Sequence, residues 1–424
     1  MRHIKILSWL SVFLFLFHCK GNTESPIADI TVKGIKVKDY NNNANASDIV
    51  MSFTKPANTD LVKEFRIIIS QSTEDLTLEK VSSLQENQFF TVDTKSSPSD
   101  INLPSSLIDS NGEAIEEGIQ YFLSVESVGS SIDNQLSKPS KKFTLERTNL
   151  VRTLVENVNG GSGGVAIDEN GDLYMADFGQ TLGGPPGDKV YKITPSGNVS
   201  VFATGFVGAS GNDFDSKGNL FQSNIAGQSI SKITQDGTVT NFASGDPIVN
   251  TVGISIDDND ELYVADCDGH KVLKIDKNGT IEVFATSSLF NCPNGITRDD
   301  SGNLYTSNFY DGNVLKITPS KQVSLLATLP GKNNGHLTYH RGYLYVIART
   351  ANQIYKVSLI GETELFAGSG DRGSQNGSAL ESSFSLPNDL IFSNDGSKIY
   401  INDVVPTTGN NISPCKIRVI ELVE

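Results

Sequence analysis

A phrase of about forty residues recurs six times in the C-terminal two-thirds of the chain, and it constrains the fold more than any other feature. Its clearest copy runs from Gly253 to Thr286, GISIDDNDELYVADCDGHKVLKIDKNGTIEVFAT. GVAIDENGDLYMAD from Gly164, GNDFDSKGNLFQSN from Gly211 and GITRDDSGNLYTSN from Gly295 keep its frame. GHLTYHRGYLYVIA from Gly335 and DLIFSNDGSKIYIN from Asp389 are looser copies. The starts lie 47, 42, 42, 40 and 54 residues apart. A repeat of that length with several strands per copy cannot bury both faces of its own sheet, so copies must stack around an axis as a β-propeller.

Each copy divides into four strands. In the third they are Gly253 to Asp257, Glu261 to Ala265, Lys271 to Ile275 and Ile281 to Ala285, here lettered A to D. The A–B turn places Asp first and Gly near its end, as in Asp168 with Gly171, Asp215 with Gly218 and Asp299 with Gly302. An Asp side chain accepts from the turn backbone and Gly tolerates positive φ, so these aspartates are turn caps, although their composition also suits Ca²⁺ loops. The sixth copy has only three strands, Asp389 to Phe392, Lys398 to Asn402 and Lys416 to Glu421. Residues 150–156 match the D-strand pattern and are expected to complete that last blade, removing an exposed sheet edge. The propeller is therefore assigned to residues 148–424.

The first residues read as a targeting segment. Arg2, His3 and Lys5 precede the run Ile6 to Phe17, apolar apart from Ser8 and Ser11. Twelve residues are too few to span a bilayer, which takes ~20, but they suit a signal peptide over residues 1–18. The formal net charge of −15 becomes −17 once residues 1–18 are removed, because Arg2 and Lys5 leave with no acid. A surface so acidic repels phosphate backbones and excludes nucleic acid as the expected partner. Residues 28–147 lack the repeat and alternate apolar with polar residues in short stretches, which predicts a β-sandwich.

Several of these segments resemble known families. Leu16-Phe17-His18-Cys19 resembles a bacterial lipobox, with His18 in place of the usual small residue; it implies lipidation at Cys19 and a polar tether over residues 19–27. Asp48 to Pro56 and Ile115 to Tyr121 resemble strand B and the tyrosine corner of a fibronectin type III domain, with Phe53 where that family has Trp. The stretch Ala367 to Pro387, together with Leu262 to Asp266 and Lys416 to Val419, resembles the NHL repeat family. Pro293-Asn294-Gly295 resembles the Pro-Asn-Gly of the gluconolactonases, whose Asn binds a catalytic divalent metal. That family places a Glu where Gly163 stands and an Asp where Asn334 stands, so both metal-binding carboxylates are missing.

The candidate site lies where the D–A and B–C loops meet the axis. The residues before strand A are Gly163, Ser210, Val252, Asn294, Asn334 and Asn388, placing three asparagines in successive blades. Asn294, Asn334, His336, Asn388 and Asp389 are the expected ligand-binding residues. His336 beside Asp389 forms a candidate acid–base pair, Asn294 is the candidate metal position, and no resident cofactor is expected. His270 is also near the mouth, and Arg349 follows strand B of the fifth blade. A second ring closes strand B: Asp177, Asn224, Asp266, Asn308 and Asp403, broken by Ala348. Recurrence in nearly every blade makes that ring structural. Cys267 and Cys292 lie in loops of adjacent blades on one face and are expected to be bonded, leaving Cys415 unpaired.

The resulting expectation is an exported, cell-envelope lipoprotein, held in the outer membrane through Cys19, whose propeller loop face binds a protein or small ligand without catalysis. The alternative is a metal-dependent lactone hydrolase or lyase of the gluconolactonase or virginiamycin B lyase type, using the three asparagines with His336 or Asp389.

Overall fold

The computed structural model describes residues 28–406 and 411–423. The signal segment, Cys19 and its tether lie outside the described residues. The chain forms two compact units, one of residues 28–37, 50–115 and 119–143, the other of residues 38–49, 116–118 and 144–423.

The N-terminal strands form two sheets. One orders Lys33–Asp39, Ile49–Thr54 and Ile101–Asn102; the other orders Phe90–Asp93, Val62–Ser70, Gln120–Gly129 and Gln135–Leu136, with Phe143–Thr144 also on Gln120–Gly129. Alternation places Ile49, Met51 and Phe53 inside, and Phe53 meets Phe65 of the other sheet edge-on at 5.2 Å.

The repeats build a β-propeller. Five sheets of four antiparallel strands follow in chain order, each running A-B-C-D outward from its inner strand. The inner strands are Ser162–Ile167, Ala209–Phe214, Thr251–Ile256, Pro293–Arg298 and Leu337–His340. The sixth sheet orders Gly377–Ser378, Leu150–Val158, Cys415–Glu421, Lys398–Val404 and Asp389–Phe392. Glu421 pairs with Leu150 and Ile420 with Val151, so segments far apart in sequence share this blade. The additional edge strand at Gly377–Ser378 was not expected from the repeat. Each inner strand packs on the next, and Asp389–Phe392 packs on Ser162–Ile167 to close the circle.

The core is distributed as wedges between blades. Leu173 and Met175 of the first sheet join Ile417 and Val419 of the sixth, and every other junction repeats the arrangement. Within blades, a strand-B aromatic stacks edge-on against a strand-D Phe: Tyr174 on Phe202 at 4.8 Å, Phe221 on Phe242 at 4.8 Å, Tyr263 on Phe284 at 5.1 Å. A strand-C lysine (Lys192, Lys232, Lys274) lies over the same ring. The recurring Tyr, Lys and Phe of the phrase are thus one packing unit. The turn aspartates are caps: Asp168 accepts from the amides of Asn170 and Asp172, and Asp215, Asp257 and Asp299 repeat the pattern.

Around the axis the inner strands approach closely enough to demand glycine. A Cβ on Gly211 would lie 2.4 Å from the Val252 carbonyl oxygen and 2.7 Å from the Gly253 Cα, and Gly164, Gly253 and Gly295 are equally confined. Gly211→Ala is expected to lower the urea midpoint by an amount equivalent to about 1–3 kcal/mol, because the obstacle is backbone on the neighbouring blade; a midpoint unchanged from wild type would contradict the close approach.

Candidate functional site

Loops from all six sheets surround a cavity of about 310 Å³ at one end of the axis. Asn294 and Asn388 line it, with Phe178, Ile225, Val252 and Phe309 supplying apolar wall. Cys267 and Cys292 are joined by a disulfide at its edge, and Cys415 is free and buried. His270 accepts at Nδ1 from the Cys292 amide at 3.1 Å, which makes it a brace for that loop.

The three asparagines do not form one ring. Asn294 donates to the Asn334 carbonyl at 2.7 Å and Asn388 to the Gly163 carbonyl at 3.0 Å, each stitching its inner strand to the next. Asn334 is fully buried and outside the cavity lining, and both its side-chain polar atoms lack partners. The reason is a register change. In the first four blades strand A carries a bulge, with Pro293 opposite Asn308 but Ile296 opposite Thr306. In the fifth and sixth, pairing runs on regularly through Leu337 with Val346 and through Asp389 with Asn402. Without the extra residue, Gly335 takes the place of Asn294, and Asn334 is one position earlier.

The same shift creates a pair. Structurally, His336 and Asp389 both occupy the register held by Gly164, Gly211, Gly253 and Gly295 in the other blades. Two side chains therefore enter the same layer of the axis from neighbouring sheets. His336 Nδ1 lies 3.1 Å from Asp389 Oδ2, which also accepts from the Val165 amide at 2.8 Å. Both residues are buried, neither is among the residues that line the cavity, and His336 Nε2 has no partner. A buried polar atom without a hydrogen bond is uncommon in folded proteins and marks a position that ligand, water or chemistry uses. Asp213 lies two residues beyond Gly211, further along the same inner strand. Burial pushes its carboxyl up to about 6, against the amides of Ile256 and Phe214, and the charge of Asp389 adds to the rise.

The second ring clamps loops. Asp177 accepts from the Gly161 amide at 2.7 Å, Asn308 from Asn291 at 3.2 Å and Asp403 from Ser385 at 2.7 Å. Burial pushes the Asp403 carboxyl up to about 7, with Arg418 at 3.5 Å opposing the rise. Where Ala348 breaks the ring, Thr350 Oγ1 accepts from the Lys332 amide at 2.9 Å and does the clamping instead. Arg349 then turns into the cavity wall, 4% exposed, with burial drawing its guanidinium down to about 10. The sequence places Arg349 directly after strand B of the fifth blade and gives it no role; the break at Ala348 was the available signal.

The residues present do not fit a resident divalent metal. Among the described residues no group of three or more His, Cys, Asp or Glu side chains could hold one. Gly163 offers no side chain, and Asn294 could bring only a neutral amide oxygen, its amide nitrogen being held by the Asn334 carbonyl.

No family model and no curated protein matches the sequence. Solved structures do match in fold. A protein of unknown function from Bacteroides thetaiotaomicron is 12% identical, covering 93% of this chain and 99% of its own, with a TM-score of 0.53. A gluconolactonase from Xanthomonas campestris is 15% identical over 65% of this chain and 90% of its own, at 0.50. Virginiamycin B lyase from Staphylococcus aureus is 14% identical over 64% and 99%, at 0.47. The structural neighbours thus include lactone hydrolase and lyase propellers, and at these identities the likeness is one of fold.

Asp213 makes stability depend on pH. Its native carboxyl binds its proton more tightly than the unfolded chain does, so the native state holds the extra proton between about pH 4 and pH 6. Raising pH through that window therefore favours unfolding. Asp213→Asn is expected to flatten the fall in Tm over that window and to raise stability near pH 7 by on the order of 1–2 kcal/mol, read by thermal melts at stepped pH.

Proposed function

We propose that the cavity at the propeller mouth is a small-molecule site and that His336, oriented by Asp389, transfers a proton there, in chemistry of the lactone hydrolase or lyase type. The observation that carries this reading is the buried His336–Asp389 pair with Nε2 left unpartnered. With Asp389 Oδ2 3.1 Å from Nδ1, a proton held on that nitrogen would face the carboxylate and the basic lone pair of Nε2 would point away from it. The pair lies outside the cavity lining, so the reading requires substrate to reach past that lining. There Nε2 would take a proton from a water attacking an ester carbonyl, or from a carbon next to one, and return it to the departing oxygen. The fold supports the reading only as far as it hosts such enzymes elsewhere; a fold by itself selects no activity. The absence of fitting carboxylates separates the proposed chemistry from that of the metal-dependent gluconolactonases.

A panel of sugar lactones, aliphatic lactones and cyclic depsipeptides, followed by mass spectrometry, tests it. Hydrolysis yields a product heavier by one water, whereas elimination yields a ring-opened product of unchanged mass. His336→Gln is expected to lower kcat about 10²–10⁴-fold, Asp389→Asn less, and chelators are expected to leave activity in place. Ligand binding at the mouth without turnover of any class would return the protein to the second reading, a non-catalytic binding protein. That reading is favoured by the amides of Asn294 and Asn388 being engaged with backbone.

We further propose that the mature protein is a lipoprotein of the bacterial outer membrane, carried by a fibronectin type III-like module. The basic residues before Ile6–Phe17 and the Leu16 to Cys19 motif support the anchor. Two antiparallel sheets joined through Phe53 and Phe65 support the module. Palmitate incorporation is expected in the wild type and absent in Cys19→Ala; labelling that persists in the variant would remove the anchor.

A further inference from the structure

The arginine that enters the mouth at the break in the clamping ring has no structural occupation. Arg349 begins a short 3-10 turn, Arg349–Ala351, directly after Ala348. Its side chain lines the cavity and is 4% exposed. Its Nε has no hydrogen-bond partner, and among the described residues no ion pair involves its guanidinium. A guanidinium is always charged near neutrality and presents a fork of five donors, so leaving one buried and unpaired is strongly unfavourable. Arg418, the other buried arginine among the described residues, also leaves its Nε unpartnered. Its two terminal nitrogens, however, donate to the Ser383 and Gln375 carbonyls and one faces Asp403 at 3.5 Å, whereas Arg349 has no such partners.

The surrounding charge does not neutralise it. Arg372, its nearest like charge, is held by Ser385. Asp403 is within electrostatic reach but is committed to Arg418 and the Ser385 amide. Asp268, also on the cavity, is exposed at the rim and accepts from Asn250 Nδ2. A chain of net charge −15 thus keeps an unpaired buried cation in the wall of a cavity whose lining mixes apolar side chains with Ser, Asn and the exposed Asp268. The walls are aromatic and aliphatic: Phe178, Leu182, Ile225, Phe309 and Ile412.

We propose that Arg349 is the anion-recognising residue of this cavity and that its ligand is a small organic oxyanion, a carboxylate, sulfonate or phosphate borne on an apolar or aromatic body. The fork of the guanidinium matches two oxygens of such a group, and about 310 Å³ stands at the lower end of the volumes that small-molecule sites have. The proposal rests on the reading of the mouth as a small-molecule site and names the chemistry of what enters it; it does not require turnover.

Two fluorescent probes with the same apolar body test it on the mature, disulfide-bonded protein: anilinonaphthalene sulfonate, which carries an anion, and phenylnaphthylamine, which does not. The wild type is expected to bind the sulfonate roughly tenfold more tightly than the neutral probe. Arg349→Met is expected to abolish that preference by weakening the sulfonate about tenfold while leaving the neutral probe within about twofold. Arg349→Lys should keep part of it. Removing an unpaired buried charge should also leave Tm unchanged or raise it by on the order of 2 °C. A wild type that binds neither probe or prefers neither, or an Arg349→Met variant that retains the sulfonate, would overturn the proposal. So would a variant that loses both probes together with thermal stability, since that marks Arg349 as structural. Anion preference without turnover of any lactone leaves this inference standing and removes only the catalytic reading.

Discussion

The structure depends on how closely its inner strands approach one another around the axis. At Gly164, Gly211, Gly253 and Gly295 there is no room for a Cβ, since the neighbouring blade's backbone occupies that space. This contact narrows the channel and fixes the stagger between sheets. It also makes any side chain at that register an exceptional one. The fifth and sixth blades carry His336 and Asp389 there, in strands that lack the bulge of the other four. The two meet because adjacent copies depart from the same steric rule in the same layer. The proposed proton-transfer pair is thus a consequence of the glycine ring, produced where it is interrupted.

The second ring shows the same logic one layer nearer the surface. Five blades use Asp or Asn at the end of strand B to hold the loop that leads into strand A, and the loops they hold carry the cavity wall. Burial works against the acidic members, as the raised carboxyl of Asp403 shows, and backbone amides and Arg418 offset it. The blade without such a residue transfers the task to Thr350, and its next side chain, Arg349, is released into the cavity. The clamped positions build the frame, and the break at Ala348 is where a charged side chain, Arg349, enters the cavity lining.

Much of this was legible in the sequence. The forty-residue period, the turn aspartates and the unfinished sixth copy implied sheets stacked about an axis and closed by residues 150–156. Packing the recurrent Tyr against Phe and Lys needs only local strand geometry, so repetition reports it directly. The pairing of His336 with Asp389 could be proposed because both stood near the start of strand A in adjacent copies. Asn334 was misplaced because alignment by the glycine motif assumes a constant bulge. A bulge adds one residue without changing composition, so a copy that loses it looks like a copy whose motif has drifted. The edge strand at Gly377–Ser378 was equally invisible, being two residues inside a long connection.

The sequence by itself determined the repeat, the order of strands within it and the break at Ala348, because each follows from residue type and spacing along one chain. Only the tertiary structure decided which side chains share a layer. That depends on strand register and on contacts between copies some forty residues apart, through which Asn294 reaches Asn334, Asn388 reaches Gly163 and His336 meets Asp389. It also decided that Arg349 is buried and unpaired, since desolvation is set by every loop around the mouth at once.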